Sequence, residues 1–392
     1  MRILTISTLF PGRNIEGQGV FIRERQRYLP DDAEVEVVRM RPYFPLIGLI
    51  RPHLGMGVPR VEEVAGMTVH DVRFLYLPLI TKDRDGHRLA SSLSRHLRSP
   101  ERELPDVLDA HFCYPSGAGA VEVGRAIDRP VVLTLRGTLA SYADDARRPK
   151  LIEALRGADR VISVSAALAE TARDLAGSDL AVRVIPNGVH TARFCPGDSA
   201  AARRQLDLPQ AARILLTVGG LVPRKGVHRV LEVLPEILKQ HPDLLYLVVG
   251  GRSAEGNDER RTKRLIREFG LEKNVRLTGA ISHDDLHKWY QAADVFVLAT
   301  SNEGWANVLH ESLATGTPVV TTDVGGNREV VGDDAFGTLV PFGDASALRE
   351  GIGAAIEKSW DTQAISEWGG RRTWQDVGHE VMSVYREVVG DT

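Results

Sequence analysis

Two glutamates, Glu303 and Glu311, bracket a short apolar run in EGWANVLHE, directly after the buried-looking strand DVFVLAT. The residues TSNEG suit a turn at the carboxyl end of a strand, where open α/β sheets hold their ligands. Val308, Leu309, Ser312 and Leu313 then fall on one helix face, and Gly316 with Pro318 stops the helix. The amides of Trp305, Ala306, Asn307 and Val308 would lie at its N-terminus, a site that attracts anions. At 1.5 Å of rise per residue the two carboxylates would stand roughly 12 Å apart. That separation suits a ligand with hydroxyls at both ends and phosphate between them, which is the form of a nucleotide sugar. Carboxylates accept from vicinal hydroxyls, and the helix dipole favours phosphate. The spacing alone also fits two solvated charges at helix ends.

A second signal lies in LTVGGLVPRKGVHRVLEVLPEI, a strand, a glycine turn, and then Arg224 and Lys225 where a helix should begin. Cations are disfavoured at a helix N-terminus, so an anion shared with the helix end accounts for the pair better than a bare surface position. The alternative is two exposed surface cations.

Other patterns carry less. His283 and His287 in SHDDLHKW have the spacing of a metalloprotease helix, but the acid after the first histidine is Asp284 and no third ligand is indicated. A helix start capped by Ser282, with Asp284 and Asp285 in the first turn, accounts for that stretch. GQGVFI holds Gly17 and Gly19 but puts Ile22 where a dinucleotide fingerprint needs its third glycine.

Positioning such groups requires parallel sheets. Short apolar runs alternate with amphipathic segments along the whole chain, as in α/β folds. RILTIS, EVEVVRM, MTVHDVRF, DVLDAHF, PVVLTLRG, RVISVS and VRVIPNG supply strands for one sheet; RILLTVGG, LYLVVGG, NVRLTGA, DVFVLAT, PVVTTD and GTLVPF supply a second. Between the sets, residues 191–212 hold no sustained strand and read as a linker. The expected domains are 1–190, 213–372, and a C-terminal helix over 373–392 that could pack back on the first domain.

The composition is that of a globular enzyme. The 392 residues are 43% hydrophobic and 26% charged, and the net charge of −3 argues against a nucleic-acid partner. The opening residues MRILTIS read as a first strand rather than a signal peptide, and no run reaches the roughly 18 apolar residues of a membrane span. Cys113 and Cys195 are far apart in sequence and form no zinc pattern, which fits a reducing compartment and a cytoplasmic protein. Residues 40–60 mix arginines with Leu46, Ile47, Leu49 and Ile50. They read as an irregular loop, or as a surface meeting a lipid-linked acceptor at the inner face of a membrane.

Together these motifs resemble the GT-B-fold retaining glycosyltransferases of family 4, also called glycosyl transferases group 1. The likeness is carried by GGLVPRKG, LTGAIS, EGWANVLHE and SLATGTPVVTTDVGGNREVV, and more weakly by GQGVFIRERQRYL, DAHFCYPSG, TLRGT and VIPNGVHTARFCP, over nearly the whole chain. The resemblance implies two doubly wound Rossmann-like domains facing a cleft. It assigns Arg224 and Lys225 to the diphosphate, Glu303 to donor-sugar hydroxyls and Glu311 to the ribose. Gly304 through Asn307 match backbone contacts to phosphate and sugar, Trp305 departs from the commoner phenylalanine, and Ile281 matches an apolar position beside the base. In the first half, Gly17 and Gly19 match a loop that approaches the diphosphate. His111 matches a histidine near the donor sugar and is expected to position rather than to act as a base. Arg136 matches a cleft-facing cation, and Asn187 reads as a turn former.

The expected activity is retaining transfer from a UDP- or GDP-sugar to a glycan or glycolipid hydroxyl. No metal is expected, because Arg224, Lys225 and the helix amides supply the positive field. A nucleotide-sugar epimerase of this fold and a non-catalytic sugar-nucleotide-binding subunit are the alternatives.

Overall fold

A computed structural model describes residues 1–390 except 14, 16, 45–58, 78–80, 100, 101, 138, 140–143, 145 and 254. The chain forms two compact units, Met1–Gly188 with Trp374–Thr392, and Val189–Thr373.

The first unit is built on β1 (Arg2–Ser7), β2 (Glu34–Tyr43), β3 (Val61–Val64), β4 (Met67–Leu75), β5 (Val107–His111), β6 (Val131–Leu135), β7 (Arg160–Ser163) and β8 (Val182–Val184). Their order in the sheet is β3-β4-β2-β1-β5-β6-β7-β8. Every pairing is parallel except β3 with β4. β5 and β6 are buried along their whole length, as strands covered on both faces must be, and their apolar runs follow from that burial. Strand β3, VEEV, carries two glutamates at the sheet edge and gave no apolar signal. It forms because Ala65 and Gly66 both take positive φ, 52° and 80°, the turn that matches hairpin twist. Among the described residues before Gly188 its helices include α1 (Val20–Arg27), α2 (Asp85–Leu97), α3 (Ala118–Ile127), α4 (Arg148–Gly157) and α5 (Ala166–Ala176). Sheet order reverses between β1 and β5, so the ends of these two strands form the switch point where α/β sheets bind ligands.

The second unit contains β9 (Ile214–Val218), β10 (Leu245–Val249), β11 (Val275–Gly279), β12 (Val295–Leu298), β13 (Val319–Thr322) and β14 (Gly337–Val340), an all-parallel sheet of order β11-β10-β9-β12-β13-β14. Its helices are α6 (Ser199–Gln205), α7 (Val227–Leu238), α8 (Glu259–Glu268), α9 (Leu286–Ala292), α10 (Asn307–Ala314), α11 (Asn327–Val331), α12 (Ala345–Glu357) and α13 (Thr362–Gly370). One core lies on each sheet face: Leu216, Leu247, Phe296 and Leu309 on one, and Leu215, Tyr246, Val297 and Ile352 on the other. The reversal here falls between β9 and β12.

Residues 191–212, expected to link the domains, belong to the second unit. They carry α6, and Phe194, Ala202 and Leu208 enter its core. Three apolar side chains spaced too irregularly for a strand or a long helix concealed that packing. The last helix, α14 (Trp374–Val389), packs in the first unit, where Trp374, Val377, Val381 and Tyr385 join Ile3, Val107, Val132 and Ile162. Among the described residues no helix is long and apolar enough to cross a membrane. The apolar surface expected around Leu46, Ile47, Leu49 and Ile50 lies outside the described residues.

Candidate functional site

The switch point of the second sheet gathers the predicted charges. β9 runs into Gly219 and Gly220, then into a 3₁₀ turn, Pro223–Lys225, and Gly226 at φ 77° redirects the chain into α7. A Cβ on Gly226 would sit 1.8 Å from the Ala299 carbonyl oxygen, so only glycine lets this turn lie against the end of β12. The approach is locked by the Ser301 amide donating to the Arg224 carbonyl at 2.9 Å. Arg224 and Lys225 therefore precede α7 rather than open it. They still stand at its N-terminal end, where the dipole disfavours cations, and their charge is met there by carboxylates.

Glu303 sits between them. Its Oε1 accepts from Lys225 Nζ at 2.8 Å, from Arg224 Nη1 at 2.8 Å and from Thr300 Oγ1 at 3.1 Å. Burial opposes the Glu303 charge, but Lys225 and Arg224 outweigh it and hold the carboxyl below its ordinary pKa. Arg224 also donates from Nη1 to the Asn302 carbonyl at 2.9 Å and grips Glu255 with Nε and Nη2 at 2.8 and 2.6 Å. Burial works against the guanidinium charge, yet Glu255 and Glu303 raise its pKa above the usual value. Behind Glu303, Gly325 at φ 51° would place a Cβ 1.9 Å from the Glu303 carbonyl oxygen. The glycine thus admits the loop after β13 against the Glu303 backbone.

Helix α10 starts at Asn307 with Ala306 as its N-cap residue. Of the four expected amide positions, Asn307 and Val308 open the helix while Trp305 and Ala306 precede it. Gly304 and Ala306 are buried. Trp305, Val308 and Ile281 pack at the margin of the core that holds Tyr290 and Leu309. The Trp305 ring meets His310 edge-on at 5.8 Å, and its buried Nε1 finds no hydrogen-bond partner among the described residues.

Glu311 lies one helical face inward and is 8% exposed. Tyr290 Oη donates to its Oε2 at 2.9 Å, and His283 Nε2 lies 2.9 Å from its Oε1. Burial and the Glu311 charge push the Tyr290 phenol far above its usual pKa, so it stays a donor. Ser282 caps the turn before α9, with the Asp284 amide 3.4 Å from its hydroxyl, as expected. His283, considered from the sequence only as one of a histidine pair, faces Glu311.

In the first unit, His111 ends β5 at the switch point and is fully buried. Arg136 Nε donates to His111 Nδ1 at 3.1 Å, so Nε2 carries the proton toward Asp109 Oδ2 at 2.9 Å. Burial drives the imidazole pKa down to about 4, Asp109 opposing and Arg136 assisting. Asp109 is held below its usual value by His111 and Arg25 despite complete burial. Arg136 also donates to Asn187 Oδ1 at 2.8 Å and lies over the Phe21 ring at 5.0 Å. Asn187 was expected to shape a turn with positive φ; it has no such angle and is buried as the acceptor for Arg136. Gly19 takes φ 72° before α1, where a Cβ would meet the Leu9 carbonyl at 2.6 Å, whereas Gly17 has open space around it.

The buried partners Asp109, Arg25, Gln26 and Tyr385 were not anticipated. Asp109 was within reach, since it lies two positions before His111 on a strand and shares its face. Glu255 stands on an irregular loop with no sequence signal.

Among the described residues, one trio has metal-ligand spacing: Glu36, His70 and His96 in the first unit. Arg102 contacts both Glu36 and His70, so a guanidinium already supplies the positive charge there.

Comparison with known proteins matches residues 198–369 to the family described as glycosyl transferases group 1 and residues 15–193 to glycosyltransferase family 4. A putative teichuronic acid biosynthesis glycosyltransferase of Bacillus subtilis (strain 168) is 30% identical over 90% of this chain and 88% of its own length. The sucrose-phosphate synthase structure from Thermosynechococcus elongatus matches with a TM-score of 0.81, at 23% identity over all of both chains. An Anabaena protein solved in complex with UDP matches with a TM-score of 0.73, at 19% identity over 99% of this chain and 100% of that one.

Proposed function

Because this chain belongs to the group 1 glycosyltransferases and has the GT-B fold, we propose that it moves a sugar from a nucleotide-sugar donor to an acceptor hydroxyl with retention at the anomeric carbon. The observation that carries this reading is the convergence of Arg224, Lys225 and Glu303 at the switch point of the second sheet. A UDP complex of a protein with this fold supports the donor class.

Arg224 and Lys225 bind the donor diphosphate and stabilise the charge that grows on it as the glycosidic bond breaks. They supply the field that a divalent cation supplies elsewhere, so the reaction proceeds without added metal. Glu303 accepts hydrogen bonds from the donor sugar. Its depressed pKa makes it a weak base, since an efficient general base titrates near the working pH. With Glu303 clamped by two cations, the departing phosphate oxygen is the natural recipient of the acceptor proton, on the face the phosphate leaves. Glu311, oriented by Tyr290 and His283, accepts from the ribose diol. Trp305 and Ile281 form the apolar margin at the sugar and base. His111, with both ring nitrogens engaged, positions Arg136 in the first unit rather than exchanging a proton. The acceptor is a glycan or lipid-linked glycan of surface-polysaccharide assembly, in keeping with the teichuronic acid relative.

The test is acceptor-dependent release of nucleoside diphosphate in EDTA, with the product anomer read by proton NMR. An axial donor linkage should reappear axial in the product. Inversion, or release that needs Mg²⁺, would overturn the mechanism; epimerised donor without transfer would replace it.

A further inference from the structure

A guanidinium offers five N–H donors in a fixed fork. Arg224 has committed four of them: two from Nη1 to Asn302 O and Glu303 Oε1, and one each from Nε and Nη2 to the two oxygens of Glu255. The fifth cannot make the paired contact by which arginine holds phosphate. The two sides of the fork are unlike. Glu303, with a side chain only 9% exposed, also holds Lys225 and Thr300, so the inner contact is part of a fixed network. Glu255 has a side chain 53% exposed and sits on the loop between β10 and α8, beside Gly256 at φ 140°. Its carboxylate presents to Nε and Nη2 the same two-oxygen edge that a phosphate would.

We propose that Glu255 is an exchange residue for the donor: its carboxylate holds the outer edge of Arg224 until the diphosphate displaces it, and recaptures that edge as the nucleoside diphosphate departs. Two anions cannot share one pair of donors, and the negative charge of Glu255 opposes a diphosphate beside it. Glu255 therefore weakens nucleotide binding and speeds product release, while Asn302 and Glu303 keep Arg224 aimed throughout. The inference rests on the assignment of Arg224 to the diphosphate.

The experiment titrates UDP, GDP and ADP into the full-length wild type and the Glu255→Gln, Glu255→Asp and Arg224→Ala variants by calorimetry, with dissociation rates by stopped flow. For the nucleotide that binds, Glu255→Gln should tighten binding by about two- to fivefold, the scale of one exposed ion pair, through slower dissociation. Glu255→Asp, which keeps the charge, should remain near wild type. A residue that merely supported Arg224 would weaken binding when neutralised, so unchanged or weaker binding by Glu255→Gln overturns the exchange. If Arg224→Ala loses nucleotide while Glu255→Gln gains none, the exchange alone fails. If no nucleotide binds, or Arg224→Ala binds as wild type, the diphosphate assignment fails and the exchange with it.

Discussion

Lys225 Nζ lies 2.8 Å from Glu303 Oε1, an oxygen that also accepts from Arg224 and Thr300. One carboxylate oxygen thus orients both cations of the proposed diphosphate site. Lys225→Met should lower kcat by about 10²- to 10³-fold, the usual loss when one donor to a developing negative charge is removed. Steady-state kinetics alongside nucleotide affinity would check it; a change in KM alone would mean that Lys225 acts only in binding.

Tyr290 donates to a Glu311 carboxylate that is almost wholly buried. A hydrogen bond to a charged group contributes about 1.5–3 kcal/mol, so Tyr290→Phe should leave Glu311 misoriented and weaken nucleotide binding roughly tenfold or more. The chemical step does not touch the ribose, so kcat should change little. Equal affinity in wild type and variant, measured by calorimetry, would remove Glu311 from the ribose.

Two glycines with positive φ separate crowding from backbone preference. Gly325 at φ 51° would drive a Cβ to 1.9 Å from the Glu303 carbonyl oxygen, whereas Gly270 at φ 67° has nothing within 4 Å. Gly270→Ala should cost about 1 kcal/mol, the backbone term alone. Gly325→Ala should cost about 2–4 kcal/mol and reduce activity as well, because Glu303 must shift. Urea denaturation of both variants tests the contrast.

Stability should decline in mild acid. Burial lowers the His310 pKa to about 4, with Arg371 and Arg372 adding to the effect and a backbone bond at Gly369 opposing it. An unfolded histidine titrates near 6.5. Between those values the unfolded chain binds a proton that the folded chain does not, so stability is full above about pH 6.5 and is lost as pH falls toward 4. The loss from His310 is on the order of 3 kcal/mol, and His111, also lowered to about 4, acts in the same direction. Denaturation midpoints at pH 7 and pH 5 should separate for wild type and converge partly for His310→Gln.

The sheets were legible because parallel strands buried on both faces must be largely apolar, as ILLTV and LYLVV are. Strand VEEV was not, since an edge strand set by a tight turn needs no apolar run. Arg224, Lys225, Glu303 and Glu311 stood out by type and spacing, and the fold brings the first three into direct contact. Glu255 and His283 could not be found that way. One reaches Arg224 from a loop, and the other reaches Glu311 across a gap of 28 residues, so neither contact has a sequence period. The cluster of Asp109, His111, Arg136 and Asn187 was visible only in part: Asp109 and His111 share one strand, but Arg136 and Asn187 come from segments that follow other strands.

The central claim is that Arg224 and Lys225 hold a nucleoside diphosphate without metal. Calorimetric titration of UDP, GDP, ADP and dTDP in EDTA, against wild type and an Arg224→Ala/Lys225→Ala double variant, tests it most directly. The account predicts that at least one nucleotide binds the wild type and loses affinity at least 100-fold in the double variant. Equal affinity in the two proteins, or binding that appears only with Mg²⁺, would contradict it.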